Sequence, residues 1–326
     1  MLILNLAVGV AVGDESASYP PLPRGVSSFG AVACDGWLYV YGGHAGKTHN
    51  YDTTLVLGTF HRLKLSHGSE WEALPEGPIL QGMNLARHRG RVIRVGGMQP
   101  RNAPGTPADN HSVVDVAAFD PKVGAWSALP PLPAARSSHD VVVVGDTLVV
   151  VGGWHMRGRG VSPVWHDTAV ILDLADPRAT WKHIPQPFER RALTATVVGT
   201  KVYVLGGMNA DNEVEPRTDI LDLATQTWAR GPDLPGTARS AFSPAACTVD
   251  DRVVVSLGDG SLWQLSRDAK TWESVGKQKQ PRIVHRLIAI DGRRVLAVGG
   301  AARGVQQASL ELMTLPAQQS RAAIQP

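Results

Sequence analysis

Residues 147–153 read Thr-Leu-Val-Val-Val-Gly-Gly, an apolar run of strand-forming residues that ends in a glycine pair. The pattern returns at residues 38–43 (LYVYGG), 92–97 (VIRVGG), 202–207 (VYVLGG) and 295–300 (VLAVGG). A sixth copy, residues 253–259 (VVVSLGD), keeps the first glycine and puts Asp259 in place of the second. The leading glycines stand at 42, 96, 152, 206, 258 and 299, giving intervals of 54, 56, 54, 52 and 41 residues. Short β-branched runs bounded by turn residues are strand signals. A glycine pair at the end of each run marks a point where side chains would crowd a neighbour or where the backbone needs a special angle.

A second landmark keeps phase with the first. Trp71, Trp126, Trp181, Trp228 and Trp272 each follow an alternating strand and precede a turn, as in WEALP from Trp71 and WSALP from Trp126. The strand before the tryptophan often ends in aspartate, at Asp120, Asp173 and Asp222. With these two landmarks in phase, the chain resembles the kelch family of β-propellers over about residues 16–315, whose repeat is roughly 50 residues long. The resemblance implies an all-β, six-bladed kelch-type propeller with four antiparallel strands per blade, labelled A to D from the axis outwards. One repeat cannot bury both faces of its sheet, so the blades must stack and close into a ring.

The last repeat has a glycine-pair strand and a third strand at 308–315, then runs into a polar tail without a tryptophan. Residues 18–23 (SYPPLP) align with 128–133 (ALPPLP). The N-terminal segment, roughly residues 15–22, is therefore expected to supply strand D of the last blade and so remove two open sheet edges. The expected organisation is a propeller over 14–316 and a polar tail over 317–326. Residues 2–13 (LILNLAVGVAVG) have the apolar core and small-residue end of a secretory signal, although no Lys or Arg precedes Arg24. Residues 1–13 are thus expected to be a signal remnant, and the protein periplasmic or extracellular; if they are not a signal, it is cytoplasmic. The run is shorter than the roughly 20 residues that span a bilayer, so no stable membrane insertion is expected.

Composition agrees with a turn-rich globular protein: 43% apolar, 19% charged, 34 glycines and 23 prolines. The net charge of +3 gives no basis for nucleic-acid binding. Cys34 and Cys247 cannot make a disulfide framework or a four-thiolate site and read as buried thiols. Walker A, GxSxG and HExxH motifs are absent. His44 and His49, like His155 and His166, share a loop, but loop spacing carries little of the geometry a metal needs. No metal or cofactor is expected, and the chain is expected to act as a monomer.

The loops after the glycine pairs are long in blades one to four and short in blade five, and they open on one face around the channel mouth. Binding residues tend to sit on such loops. Counting back from the glycines gives one position per blade near the axis: Ser28, Gly82, Ser138, Ala192, Pro244 and His285. The ligand-binding candidates on this face are His44, Ser138, His139, Trp154, His155, Trp165, His166, Arg191, His285 and Arg286. Arginine offers bidentate donors and tryptophan an apolar face. That combination suits a recognition module for a protein, carbohydrate or acidic ligand. The alternative is a sugar-active enzyme. In architecture the chain is similar to bacterial exported kelch proteins that interconvert sialic-acid anomers, a reaction that needs a general acid and a general base, roles His can fill.

Overall fold

The computed structural model describes residues 19–66 and 68–317. The expected signal remnant and residues 318–326 of the tail lie outside the described residues. The protein is an all-β, six-bladed propeller. Blade one is built from Gly30–Cys34, Trp37–His44, Val56–Lys64 and Glu72–Leu74, paired antiparallel in that order. Blades two to five repeat the plan from Leu85, Asp140, Thr194 and Ala245 respectively. Blade six shows three strands, Arg286–Ala289, Arg294–Val298 and Leu310–Thr314.

Six apolar clusters form the core, one at each contact between neighbouring blades. Tyr41, Phe60, Met83 and Phe119 fill the wedge between blades one and two, and Leu22, Phe29, Leu296 and Val298 fill the one between blades six and one. The glycine pairs are needed at these wedges. Gly42 has φ 63°, and a Cβ there would lie 2.5 Å from the carbonyl oxygen of Leu80 in the loop leading to the next blade. The second glycine donates its N–H across the same gap, Gly43 to Leu80 and Gly153 to Arg190. Gly300 of blade six donates to Val26 at 2.8 Å, which closes the ring.

The wedge tryptophans Trp71, Trp126, Trp181, Trp228 and Trp272 are partly buried. The indole Nε1 of Trp126, Trp181 and Trp272 donates to the carbonyl of Pro75, Pro130 and Pro232, at 3.1, 3.0 and 3.2 Å. Each of these prolines follows strand D of the preceding blade. Trp71 makes the same bond to Pro20 at 3.3 Å, so Pro20 stands where the sixth blade should supply its proline. Of the strand expected at 15–22, residues 15–18 lie outside the described residues. Tyr19–Leu22 is irregular backbone rather than strand, joined to blade six by Leu22 N–H donating to the Ala308 carbonyl.

Candidate functional site

Six residues in left-handed conformation, one per blade, surround the axis: Ser28, Gly82, Ser138, Ala192, Ser243 and Val284, with φ between 48° and 61°. Each N–H donates to the carbonyl of the preceding blade's member. Ser28 donates to Val284 at 3.1 Å, and the circuit is complete. The expected register was right for four blades. In blades five and six the members are Ser243 and Val284 rather than Pro244 and His285, because one more residue separates them from the leading glycine than in the other blades.

In every blade but the fifth, the residue before the ring member pairs with the residue after the glycine pair. The bridges are Ser27 with His44, Gln81 with Met98, Ser137 with Trp154, Arg191 with Met208, and Ile283 with Ala301. These pairs are the inner wall of a cup of about 590 Å³ whose floor is the ring. The loops carry the wall upward as small hairpins, Met98–Pro100 with Asn110–Ser112 and Trp154–His155 with Val164–Trp165.

Four of the expected candidates line the cup: His44, Ser138, Trp154 and Arg191. Arg191 dominates it. Its guanidinium lies 4.1 Å from the centre of the Trp154 ring and 5.8 Å from that of Trp165, and Nη2 is 3.2 Å from the Met208 sulfur. Among the described residues no carboxylate lines the cup, and Arg191 Nε is buried without a hydrogen-bond partner. Burial lowers the pKa of Arg191, opposed by nearby Tyr51. Burial also raises the Tyr51 pKa and lowers that of His44, whose Nε2 lies 2.7 Å from the Asn50 carbonyl. Tyr51, Gln81, Asn110, Met98 and Met208 belong to the site but were absent from the candidates. Gln81, Met98 and Met208 could have been found by register, since they stand one residue before the ring or just after a glycine pair.

The other candidates lie elsewhere. Trp165 packs behind Trp154, ring centres 5.4 Å apart, and His155 sits on the same hairpin beside Arg157 and His111, outside the cup lining. His166 is buried, with Nε2 3.1 Å from the Ala135 carbonyl. His139 and His285 follow the ring members Ser138 and Val284, so strand alternation turns them beneath the floor. His285 Nε2 lies 3.1 Å from Ser256 Oγ. Arg286 ties the channel together below the ring, donating to the Phe29 carbonyl at 2.8 Å and the Met83 carbonyl at 2.6 Å. Its guanidinium is 3.7 Å from Asp140, whose carboxylate also accepts from Asn84 and Thr194. A larger cavity of about 940 Å³ opens on the opposite face, where Asp291 and other turn residues line it. There Asp291 is paired with Arg294, whereas the cup offers an unopposed cation.

The sealed histidines carry a pH signature. Burial, then Arg136, pushes the His166 pKa down to about 4. Burial, then Arg282 and Arg286, pushes His285 down to about 3, and burial holds His139 well below its usual value. A folded pKa below the unfolded value near 6.5 gives stability that is full above that value and lost as pH falls toward 4. At pH 5, His166 and His285 should each cost about 2 kcal/mol relative to pH 7. Urea midpoints at the two pH values test this: His285→Gln should shrink the difference, and equal midpoints for the parent protein would show the rings to be solvated.

A kelch-motif family model matches residues 189–235, the approach to blade four and the blade through its tryptophan. Kelch-like protein 35 of Mus musculus is 31% identical over 260 residues, 78% of this chain and 39% of that protein. The chain is a kelch-repeat β-propeller. Kelch-like protein 34 of Homo sapiens is 28% identical over 196 residues, 55% of this propeller and 30% of that protein. The kelch chain thus spans less than half the length of these curated relatives. A solved structure described as "Structure of YjhT" superposes with a TM-score of 0.74 over 91% of this chain and 99% of that one, at 14% identity, a likeness of fold. No helix among the described residues is long and apolar enough to cross a membrane.

Proposed function

We propose that this propeller is a recognition module whose axial cup binds a ligand through a carboxylate. The observation that carries the reading is Arg191: a cation stacked on Trp154, with a buried Nε that has no partner, in a hollow without acidic side chains among the described residues. A carboxylate would complete the guanidinium fork, and charge-assisted bonds of that kind contribute about 1.5–3 kcal/mol. Gln81, Asn110 and Ser27 supply neutral polar groups beside it. Sugar isomerisation is the weaker reading. It needs an acid and a base at one ring, and His44 is tied to the Asn50 carbonyl while the Tyr51 pKa is raised.

Thermal-shift titration of the full chain with hexaglutamate, sugar acids and their neutral amides tests the proposal. A carboxylate at 100 times its Kd should stabilise by about 2.7 kcal/mol, and its amide should not. Arg191→Gln should weaken binding by roughly tenfold or more. Equal binding by the parent and Arg191→Gln would sink the reading. Catalysed anomer exchange in an NMR experiment would move the assignment to the enzyme class.

A further inference from the structure

Met208 is the first residue after the glycine pair of blade four, and its sulfur faces the cation of the cup. The backbones of Met208 and Arg191 exchange two hydrogen bonds. Arg191 N–H donates to the Met208 carbonyl at 3.0 Å, and Met208 N–H donates to the Arg191 carbonyl at 2.9 Å. Met208 also bridges Val214 on its other side, so its backbone is held from both flanks. The sulfur then sits 3.2 Å from Arg191 Nη2. Among the described residues it is the sole atom that accepts a bond from this guanidinium, and a thioether accepts only weakly. Met208 is partly exposed and lines both the cup and an adjoining hollow of about 550 Å³, so a small solute reaches it from two sides. Met83 and Met98, by contrast, are sealed, at 0% and 3% exposure.

We propose that Met208 is a reversible oxidation site, and that its sulfoxide closes the cup to carboxylates by occupying Arg191. The inference rests on the reading of the cup as a carboxylate site and adds its regulation. The oxidant is hydrogen peroxide. A sulfur lone pair attacks one peroxide oxygen, an S–O bond forms and the O–O bond breaks. Sulfur gives up two electrons and the peroxide takes them. The departing hydroxide collects the proton of the transferred oxygen and leaves as water, so Met208 becomes a sulfoxide. That change turns an apolar side chain into a polar one, and reductases reverse it. The new oxygen is a polar acceptor bonded to the atom already beside Nη2, and a bond from a guanidinium to it is charge-assisted. It therefore takes the donor that an incoming carboxylate needs. The paired backbones keep the sulfoxide from swinging away. Met156 and Met313 are partly exposed too, but neither accepts a bond from Arg191 among the described residues. Their oxidation leaves the guanidinium free.

The test treats the full-length protein with hydrogen peroxide and maps each methionine by peptide mass spectrometry. Met208, Met156 and Met313 should be converted ahead of Met83 and Met98. Hexaglutamate should bind the oxidised protein roughly tenfold more weakly than the reduced one, and methionine sulfoxide reductases should restore binding. Met208→Leu should bind equally before and after peroxide, whereas Met156→Leu with Met313→Leu should keep the loss. Met208→Gln, which brings an amide oxygen toward the guanidinium, should reproduce the loss without peroxide. The Nε–H resonance of Arg191 in arginine-labelled protein reads the contact with no ligand present. It should shift when the parent is oxidised and stay in place in Met208→Leu. Undiminished binding and an unmoved resonance after Met208 is converted would overturn the inference and leave the cup reading standing. So would a Met208 that stays a thioether while Met156 and Met313 oxidise, or a loss of binding that persists in Met208→Leu. A reduced protein that binds no carboxylate would overturn the cup reading, and this inference with it.

Discussion

Arg190→Leu should destabilise the propeller by about 3–5 kcal/mol, whereas Arg191→Gln one residue later should cost about 1 kcal/mol or less. The two side chains leave the backbone in opposite directions. Arg190 is fully buried, and its Nη1 donates to the carbonyls of Gly206 at 2.7 Å and Arg217 at 3.0 Å. Nη2 pairs with Asp219, which is itself buried, and Nε lies 3.6 Å from Glu215. Removing the guanidinium strands that carboxylate with Arg217 alone and leaves a void against Phe188. Arg191 meets the two indole faces, a sulfur and nearby Tyr51, and no buried carboxylate among the described residues, so little is stranded when it goes. Urea unfolding of both variants, with carboxylate binding measured in parallel, checks the pair of expectations. A cost below 1 kcal/mol for Arg190→Leu, or comparable losses of stability in both, would contradict the opposite orientation.

The same two residues show how far the sequence can be read. The glycine pairs and tryptophans are visible because the geometry they serve leaves few substitutes. A Cβ at Gly42 collides with the next blade, and an indole must reach a proline carbonyl one blade back. The ring follows from register, which singles out Ser138 and, one residue before a ring member, Arg191, while Trp154 opens the long loop after a glycine pair. Burial of a polar side chain is another matter, because it depends on groups brought up from later strands of the same blade, 16 to 32 residues on. Arg136 and Arg282 are buried like Arg190, each donating to the carbonyl of a leading glycine, Gly152 or Gly299, and to a strand C carbonyl or its neighbour. All three stand two residues before a ring member, Ser138, Ala192 or Val284, so the register that marks the ring also marks them. His139 and His285 misled for a related reason: one step past the ring, alternation sends a side chain below the floor. The register slip in blades five and six came from one extra residue in each, which a count from the glycines alone could not see.

Deleting residues 1–24 should abolish a single cooperative unfolding transition, whereas deleting residues 1–13 should leave it in place, because Tyr19, Pro20 and Leu22 all make contacts that close the ring. Tyr19 donates its hydroxyl to the Leu65 carbonyl at 3.0 Å, Pro20 accepts from Trp71, and Leu22 bonds to Ala308. Leu22 is 5% exposed and packs in the wedge with Val26, Phe29 and Leu296. Without this segment, Trp71 loses the proline that every other bonded wedge tryptophan has, and the Ala308 carbonyl loses its bond from Leu22. A propeller is stable only as a closed ring, since each blade buries its faces against two neighbours. The loss should therefore spread beyond blade six. Leu22→Ala gives a graded version, at about 2–5 kcal/mol, with the ring otherwise intact. Circular dichroism and calorimetry on the three variants decide the matter. If the 1–24 deletion unfolds as cooperatively as the parent, the N-terminal segment is an ornament on blade six, and closure must rest on the Gly300 to Val26 bond and the axial ring alone.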